Sequence, residues 1–197
     1  AFCAGVDLGM PEDRITGRSP AEKVRNYYEK FRWVHERFKV FAHLPQPVLM
    51  AIHGYCLGVA SQVAVMCDIT VIAEDAKVGL PSLPLGGAYI SPMWSWLIGP
   101  KRAKEMSYTV GAQIDGKTAS DWGWANRAVP AEELESTVRE MALRMANLPS
   151  KFLQLKKYSI NRQLDAIGTI ATAKVELAVF NEFAPALLVN RQEVIGI

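Results

Sequence analysis

Two stretches of the chain set glycine where main-chain amides can meet a ligand. They are Cys3-Ala4-Gly5-Val6-Asp7-Leu8 and His53-Gly54-Tyr55-Cys56-Leu57-Gly58-Val59-Ala60. In each, an apolar strand runs into a sharp turn, and small residues let the backbone come close to a bound group. The second turn leads straight into a helix, whose first N–H groups have no acceptor within the helix and face whatever binds there. Two such N–H groups aimed at one carbonyl oxygen form an oxyanion hole. Removing one donor from such a hole costs roughly 3–4 kcal/mol of transition-state stabilisation.

Other chemistry-bearing residues are few. The three histidines are His35, His43 and His53; the first two sit on and just after a long helix, and His53 serves the second turn. No His/Cys/Asp cluster has metal-ligand spacing, so no metal is expected. Cys3, Cys56 and Cys67 are odd in number and lie among small or apolar residues, which reads as reduced, buried thiols in a cytoplasmic protein. Trp94, Trp96, Trp122 and Trp124 could line an acyl pocket, although aromatics at helical spacing are more simply core or subunit contacts. Lys101, Arg102 and Lys104 form one basic cluster and Lys156 with Lys157 another. Either would suit a phosphate, and a solvated face is the simpler reading of the first.

The elements that must hold the two turns follow from the pattern. Ser19-Pro20-Ala21-Glu22 is a capping box with Pro at the first helical position. The apolar series Val24, Tyr27, Tyr28, Phe31, Val34, Phe38, Phe41 carries that helix until Pro45 and Pro47 stop it. Strands are expected over 47–52, 69–73 and 77–79, with a short helix over 59–66 between the first two. Residues 80–87 carry two prolines and two glycines and read as loop. From Ser91 onward the pattern is helical: 91–98, 101–109, 115–123, 132–147, 151–164 and 170–183. Strands thus cluster early and helices late. Half of the 197 residues are hydrophobic, 21% are charged and the net charge is +2, which suits one globular unit with a sizeable core and excludes an electrostatic case for nucleic acid. No apolar run is long enough to span a membrane.

Several motifs, in order, resemble those of the crotonase (enoyl-CoA hydratase/isomerase) superfamily. Phe2-Cys3-Ala4-Gly5-Val6-Asp7-Leu8 is similar to its first oxyanion turn. Ala51-Ile52-His53-Gly54-Tyr55-Cys56-Leu57-Gly58, followed by Met66-Cys67-Asp68-Ile69, is similar to the second. Ala73-Glu74-Asp75-Ala76-Lys77-Val78-Gly79-Leu80-Pro81 resembles the strand that enters the catalytic loop, and Gly116 through Trp122-Gly123 to Val129-Pro130 a later family signature. The resemblance runs from residue 1 to about residue 180. It implies an α/β fold, a ββα spiral of the crotonase/ClpP type with a helical C-terminal region. Residues 1–130 would form the spiral core with the coenzyme A thioester site, and residues 131–197 a helical oligomerisation region. The family's opening strands and helix, which help bind the CoA adenine, would precede residue 1, so the 197 residues would belong to a longer chain.

The resemblance also implies roles. The N–H groups of Val6 and Val59 would be the oxyanion donors, with Ala4, Gly5, Asp7, Leu8, Tyr55, Leu57 and Gly58 lining the substrate and Lys156 meeting a CoA phosphate of a neighbouring subunit. Asp7 and Asp68 match positions that are structural in the family. CoA enters as part of an acyl-CoA substrate, with no permanently bound cofactor, and the assembly would be a homotrimer or a dimer of trimers. Two departures bear on mechanism. Gln62 and Ser82 stand where hydratases of the family carry their paired glutamates; Gln62 does not titrate, and Ser82 needs a base to act as one. Tyr89, in the glycine-rich loop, is a candidate proton donor or substrate-orienting hydroxyl, or a packing residue. Ordinary hydration is therefore expected to be slow or absent. Two alternatives stand beside an enzymatic acyl-CoA reaction. One is a non-catalytic CoA-thioester binder. The other is a Clp-type serine peptidase, since Gly58-Val59-Ala60-Ser61 resembles its nucleophile turn, although no histidine follows Ser61.

Overall fold

A computed structural model of the chain describes residues 1–5, 19–79 and 92–167. The first long element is helix α1 (Pro20–His43), and its start is the predicted cap: the Ser19 side chain accepts the backbone N–H of Glu22 at 3.2 Å. It closes with the Leu44 N–H donating to the Val40 carbonyl, just before Pro45 and Pro47.

Beyond it the chain alternates between two three-stranded sheets. Strand β1 (Leu49–Ile52) turns at His53-Gly54 into β2 (Tyr55–Leu57), and helix α2 (Val59–Ala64) follows. Strand β3 (Ile69–Ala73) then turns at Glu74-Asp75 into β4 (Lys77–Gly79). Later come helices α3 (Pro92–Ile98) and α4 (Pro100–Tyr108), strand β5 (Gln113–Asp115), helix α5 (Gly116–Asp121) and strand β6 (Arg127–Val129). One sheet has the order β1-β3-β6, all parallel, with Leu49 opposite Ile69 and Val71 opposite Arg127. The other has the order β2-β4-β5, with β2 parallel and β5 antiparallel to β4. Each pass of the chain thus leaves one strand in each sheet. Parallel neighbours cannot be joined by a tight hairpin, so helices make the return.

The core lies between and beneath these sheets. Ile52, Val71, Ile72, Val78 and Trp94 have no exposed surface. Trp94 and Trp124 pack with ring centroids 5.4 Å apart. Two glycines admit close backbone contact: a methyl group at Gly79 would collide with the Ala112 carbonyl oxygen, and one at Gly116 with that of Ala73. The C-terminal part is a 3-10 turn (Ala131–Glu133) followed by helices α6 (Leu134–Ala146) and α7 (Ser150–Ala166).

The expected strands over 69–73 and 77–79 match β3 and β4, and the expected helices to residue 166 are present within a few residues. Three strands were not expected. β2 lies within the second glycine turn, β5 at the start of the helix expected from 115, and β6 before Pro130, so strands are not confined to the early chain. Cys3 also departs from expectation: it is exposed, whereas Cys56 is buried and Cys67 partly so. The expected helix over 170–183 and the loop over 80–87 lie outside the described residues. Among the described residues no helix is long and apolar enough to cross a membrane, and no group of three or more His, Cys, Asp or Glu could hold a metal ion.

Candidate active site

The two glycine turns are brought together. Residues 1–3 run alongside β2 and pair with it through a single parallel bridge between Cys3 and Cys56: the Phe2 N–H donates to the His53 carbonyl at 2.9 Å, Cys3 N–H to Tyr55 at 2.8 Å, and Leu57 N–H to Cys3 at 3.0 Å. Both chains then leave the sheet at glycine. Gly5 has φ +101° and Gly58 φ +56° with ψ −121°, conformations that side-chain-bearing residues avoid. The turns nearly touch, since a methyl group on Gly5 would sit 3.2 Å from the Leu57 carbonyl oxygen and 3.9 Å from the Gly58 Cα. From the other side, the Gly58 N–H donates to the Gly79 carbonyl at 2.9 Å, which ties the second turn to β4.

Val59 is the first residue of α2, so its N–H lacks an acceptor within the helix. The preceding carbonyl, that of Gly58, is held by the backbone N–H groups of Ser61 at 3.1 Å and Gln62 at 3.4 Å and by the Ser61 hydroxyl at 2.7 Å. Gln62 is three residues further along the same short helix and buried, at 7% exposure. Ala4 and Tyr55 are exposed, and Gly5, Leu57 and Gly58 are half-buried. Val6, Asp7, Leu8, Ser82 and Tyr89 lie outside the described residues.

Two of the three thiols are held in their protonated, unreactive form. Burial pushes the Cys56 thiol up to about 12, with a smaller contribution from Cys3, and burial raises Cys67 to about 11. Ser61 does not fit the peptidase reading. It has no exposed surface, and its proton is committed to the Gly58 carbonyl.

The two late lysines part company. Lys156 is exposed on α7 and free to meet a solvent-side anion. Lys157, the other member of that basic cluster, does not face solvent: it is buried, with Nζ 2.7 Å from Asp68 Oδ2, 3.0 Å from the Phe41 carbonyl and 3.1 Å from that of Gln46. Asp68 Oδ2 also accepts the Val48 N–H at 2.7 Å. This cluster joins α7 to the end of α1 and to the starts of β1 and β3, the strand pair that carries the second turn. Asp68 is thus structural, as expected. Trp94 and Trp124 are core residues, while Trp96 is exposed and Trp122 lies under the Arg102 guanidinium at 4.9 Å. The N-cap of α5 is Asp115, the residue from which the sequence expected this helix to start, and it accepts the Thr118 N–H at 2.8 Å.

A family model described as enoyl-CoA hydratase/isomerase matches residues 1–189. The chain belongs to the enoyl-CoA hydratase/isomerase family. Among solved structures, a candidate enoyl-CoA hydratase/isomerase from Novosphingobium aromaticivorans DSM 12444 superposes with TM-score 0.82 at 36% identity, covering 98% of this chain and 70% of that one. The family member has the crotonase fold, with two sheets fed by one spiralling chain and a helical C-terminal region. The enoyl-CoA isomerase/hydratase fer4 of Mycosarcoma maydis is 33% identical over 79% of this chain and 54% of its own length. The 1,2-epoxyphenylacetyl-CoA isomerase of Escherichia coli K12 is 29% identical over 81% of this chain and 60% of its own. This enzyme-family chain spans about half to three fifths of the length of these curated relatives.

Proposed function

We propose that the chain binds a coenzyme A thioester and stabilises the enolate of its carbonyl with the backbone N–H groups of Val6 and Val59. The observation that carries this reading is the close approach of the two turns, with a methyl group on either Gly5 or Gly58 falling 3.8–3.9 Å from the other's Cα and both glycines in glycine-specific conformations. Such an arrangement supports two adjacent amides leaving the sheet toward one side. Main-chain donors are indifferent to the Val59 and Ala60 side chains, because the N–H itself is unchanged by them. Charge that develops on the thioester oxygen as the α-carbon loses a proton is met by dipoles already in place, each worth roughly 3–4 kcal/mol.

The proton chemistry differs from that of a hydratase. An amide at position 62 orients a substrate or water by hydrogen bonds and does not titrate, and Ser82 needs a base to act as one. Tyr89 is the proposed proton donor or orienting hydroxyl. Relatives named for both hydration and isomerisation of CoA thioesters leave several outcomes for such an enolate. The test is to assay crotonyl-CoA hydration and 3-enoyl-CoA isomerisation beside equilibrium binding of the same thioesters. Slow hydration in the native protein, raised at least tenfold in a folded Gln62→Glu/Ser82→Glu variant, is expected. No gain in a folded double variant removes the assignment of positions 62 and 82.

The replacement of an acid–base pair by Gln62 and Ser82 favours a second reading, a thioester binder without turnover. Tight binding with no reaction across a panel of acyl-CoA thioesters would establish it. The proposal extends to assembly. Residues 131–197 would be the self-association region of a cytoplasmic homotrimer or dimer of trimers, a reading supported by Leu143, Phe152 and Leu155, which stand exposed on α6 and α7. A monomeric mass by light scattering would overturn it.

A further inference from the structure

Ser61 is unsuited to act as a nucleophile, yet it is fully buried and its hydroxyl makes the shortest of the three hydrogen bonds to the Gly58 carbonyl. We infer that Ser61 is a positioning residue for the oxyanion donor: by holding the Gly58 carbonyl, its hydroxyl fixes the direction of the Val59 N–H. The inference rests on the proposed thioester-enolate reading and adds a residue to it.

The Gly58 carbonyl and the Val59 N–H belong to one planar trans peptide, so they point in opposite directions and turn as a rigid unit. Rotation of that unit is governed by ψ of residue 58 and φ of residue 59. Residue 58 is glycine at φ +56°, ψ −121°, without a Cβ to restrict ψ, and a methyl group there would meet only the Gly5 Cα, at 3.8 Å. The peptide that carries the proposed donor therefore hinges on the least restricted residue type. Three donors converge on its oxygen: Ser61 Oγ at 2.7 Å, Ser61 N at 3.1 Å and Gln62 N at 3.4 Å. The Gln62 bond is long and the Ser61 backbone bond sits at the upper end of the ordinary range, so the short hydroxyl bond is the tightest of the three restraints. A serine bonding back to the carbonyl of an earlier turn is common in helices. Here the carbonyl it reaches is the one whose peptide carries the donor.

The same bond acts on donor strength. A hydrogen bond to an amide oxygen draws electron density from the nitrogen, which strengthens the N–H as a donor by roughly 10–30% per bond. Because Ser61 has no exposed surface, water does not replace its hydroxyl.

The experiment uses acetoacetyl-CoA, a thioester whose enolate absorbs in the near ultraviolet. The pH at which the bound probe ionises is followed in wild type, Ser61→Ala and Ser61→Cys, and its affinity is measured where it is neutral. Wild type is expected to ionise the bound probe at lower pH than free acetoacetyl-CoA. Ser61→Ala should return that midpoint toward the free value by roughly one pH unit, a tenfold loss of enolate stabilisation, and the weakly donating thiol of Ser61→Cys should fall between. Affinity for the neutral probe should change less than threefold. A shift in wild type that Ser61→Ala retains in full overturns the positioning role and leaves the oxyanion reading standing. Equal loss of neutral and ionised binding overturns it too, because the serine would then be merely structural. No shift in wild type removes the oxyanion reading and this inference with it. If Ser61→Ala does not fold, Ser61→Cys decides by the same criteria.

Discussion

Replacing Lys157 by Met keeps the aliphatic stem and removes only the ammonium. Its Nζ lies within 3.1 Å of the Phe41 carbonyl, the Gln46 carbonyl and Asp68 Oδ2, and the side chain is 7% exposed. Truncating one partner of a buried ion pair costs roughly 3–5 kcal/mol, because the other charge is left uncompensated. Asp68 is 21% exposed and retains the Val48 N–H, which places the loss near the low end, about 3 kcal/mol. For a chain of this size each kcal/mol lowers Tm by roughly 2–4 °C, so Lys157→Met should melt about 6–12 °C below wild type by calorimetry. Lys156→Met, one residue away and exposed, should stay within about 0.5 kcal/mol. Adding Asp68→Asn to Lys157→Met should recover part of the loss, since it removes the stranded charge. A Lys157→Met melt within about 2 °C of wild type would refute the reasoning, as would equal effects at 156 and 157.

Hydrogen bonding by Thr118 holds the Asp115 carboxyl below the usual range. Its contribution is therefore fully present above the ordinary carboxylate pKa and lost as pH falls through the lower folded value. Asp115→Asn keeps a cap acceptor and should flatten that acid-side slope in denaturant melts, whereas Asp115→Ala should also lose about 1 kcal/mol at neutral pH. A thiol reagent should modify exposed Cys3 in the folded protein and spare Cys56, which is buried and raised to about 12; peptide mapping that finds both labelled at similar rates contradicts this. Gly116→Ala should cost at least about 3 kcal/mol, because its methyl group would meet the Ala73 carbonyl, backbone that cannot step aside. Gly111→Ala, with φ +73° and open space, should cost only about 1–2 kcal/mol; thermal melts separate the two.

What could be read from the sequence divides along physical lines. Helix α1 was legible because a capping box, a helical apolar period and a proline stop agree with one another. Strand β3 was legible because its β-branched run ends in the turn residues Glu74-Asp75, and β4, only three residues long, because it lies in the segment that resembles the family's strand entering the catalytic loop. Strands β2, β5 and β6 have three residues each, too few to show a period of two; they exist as strands only through partners elsewhere in the chain, as Ile114 does opposite Val78. The second glycine turn was legible because Gly58 precedes a helix, and its conformation needs glycine. The Lys157–Asp68 pair was not, since 89 residues separate the two and a Lys-Lys doublet on a late helix reads as a phosphate-binding cluster. The role of Ser61 was hidden similarly: its serine resembled a nucleophile until its burial and its carbonyl partner were known.

The central claim concerns one oxygen atom. A crystal structure of the protein with a slowly reacting acyl-CoA thioester should place the thioester oxygen about 2.7–3.1 Å from the backbone nitrogens of both Val6 and Val59. A thioester bound elsewhere, or an oxygen that reaches neither amide because the two N–H groups diverge, would contradict the account.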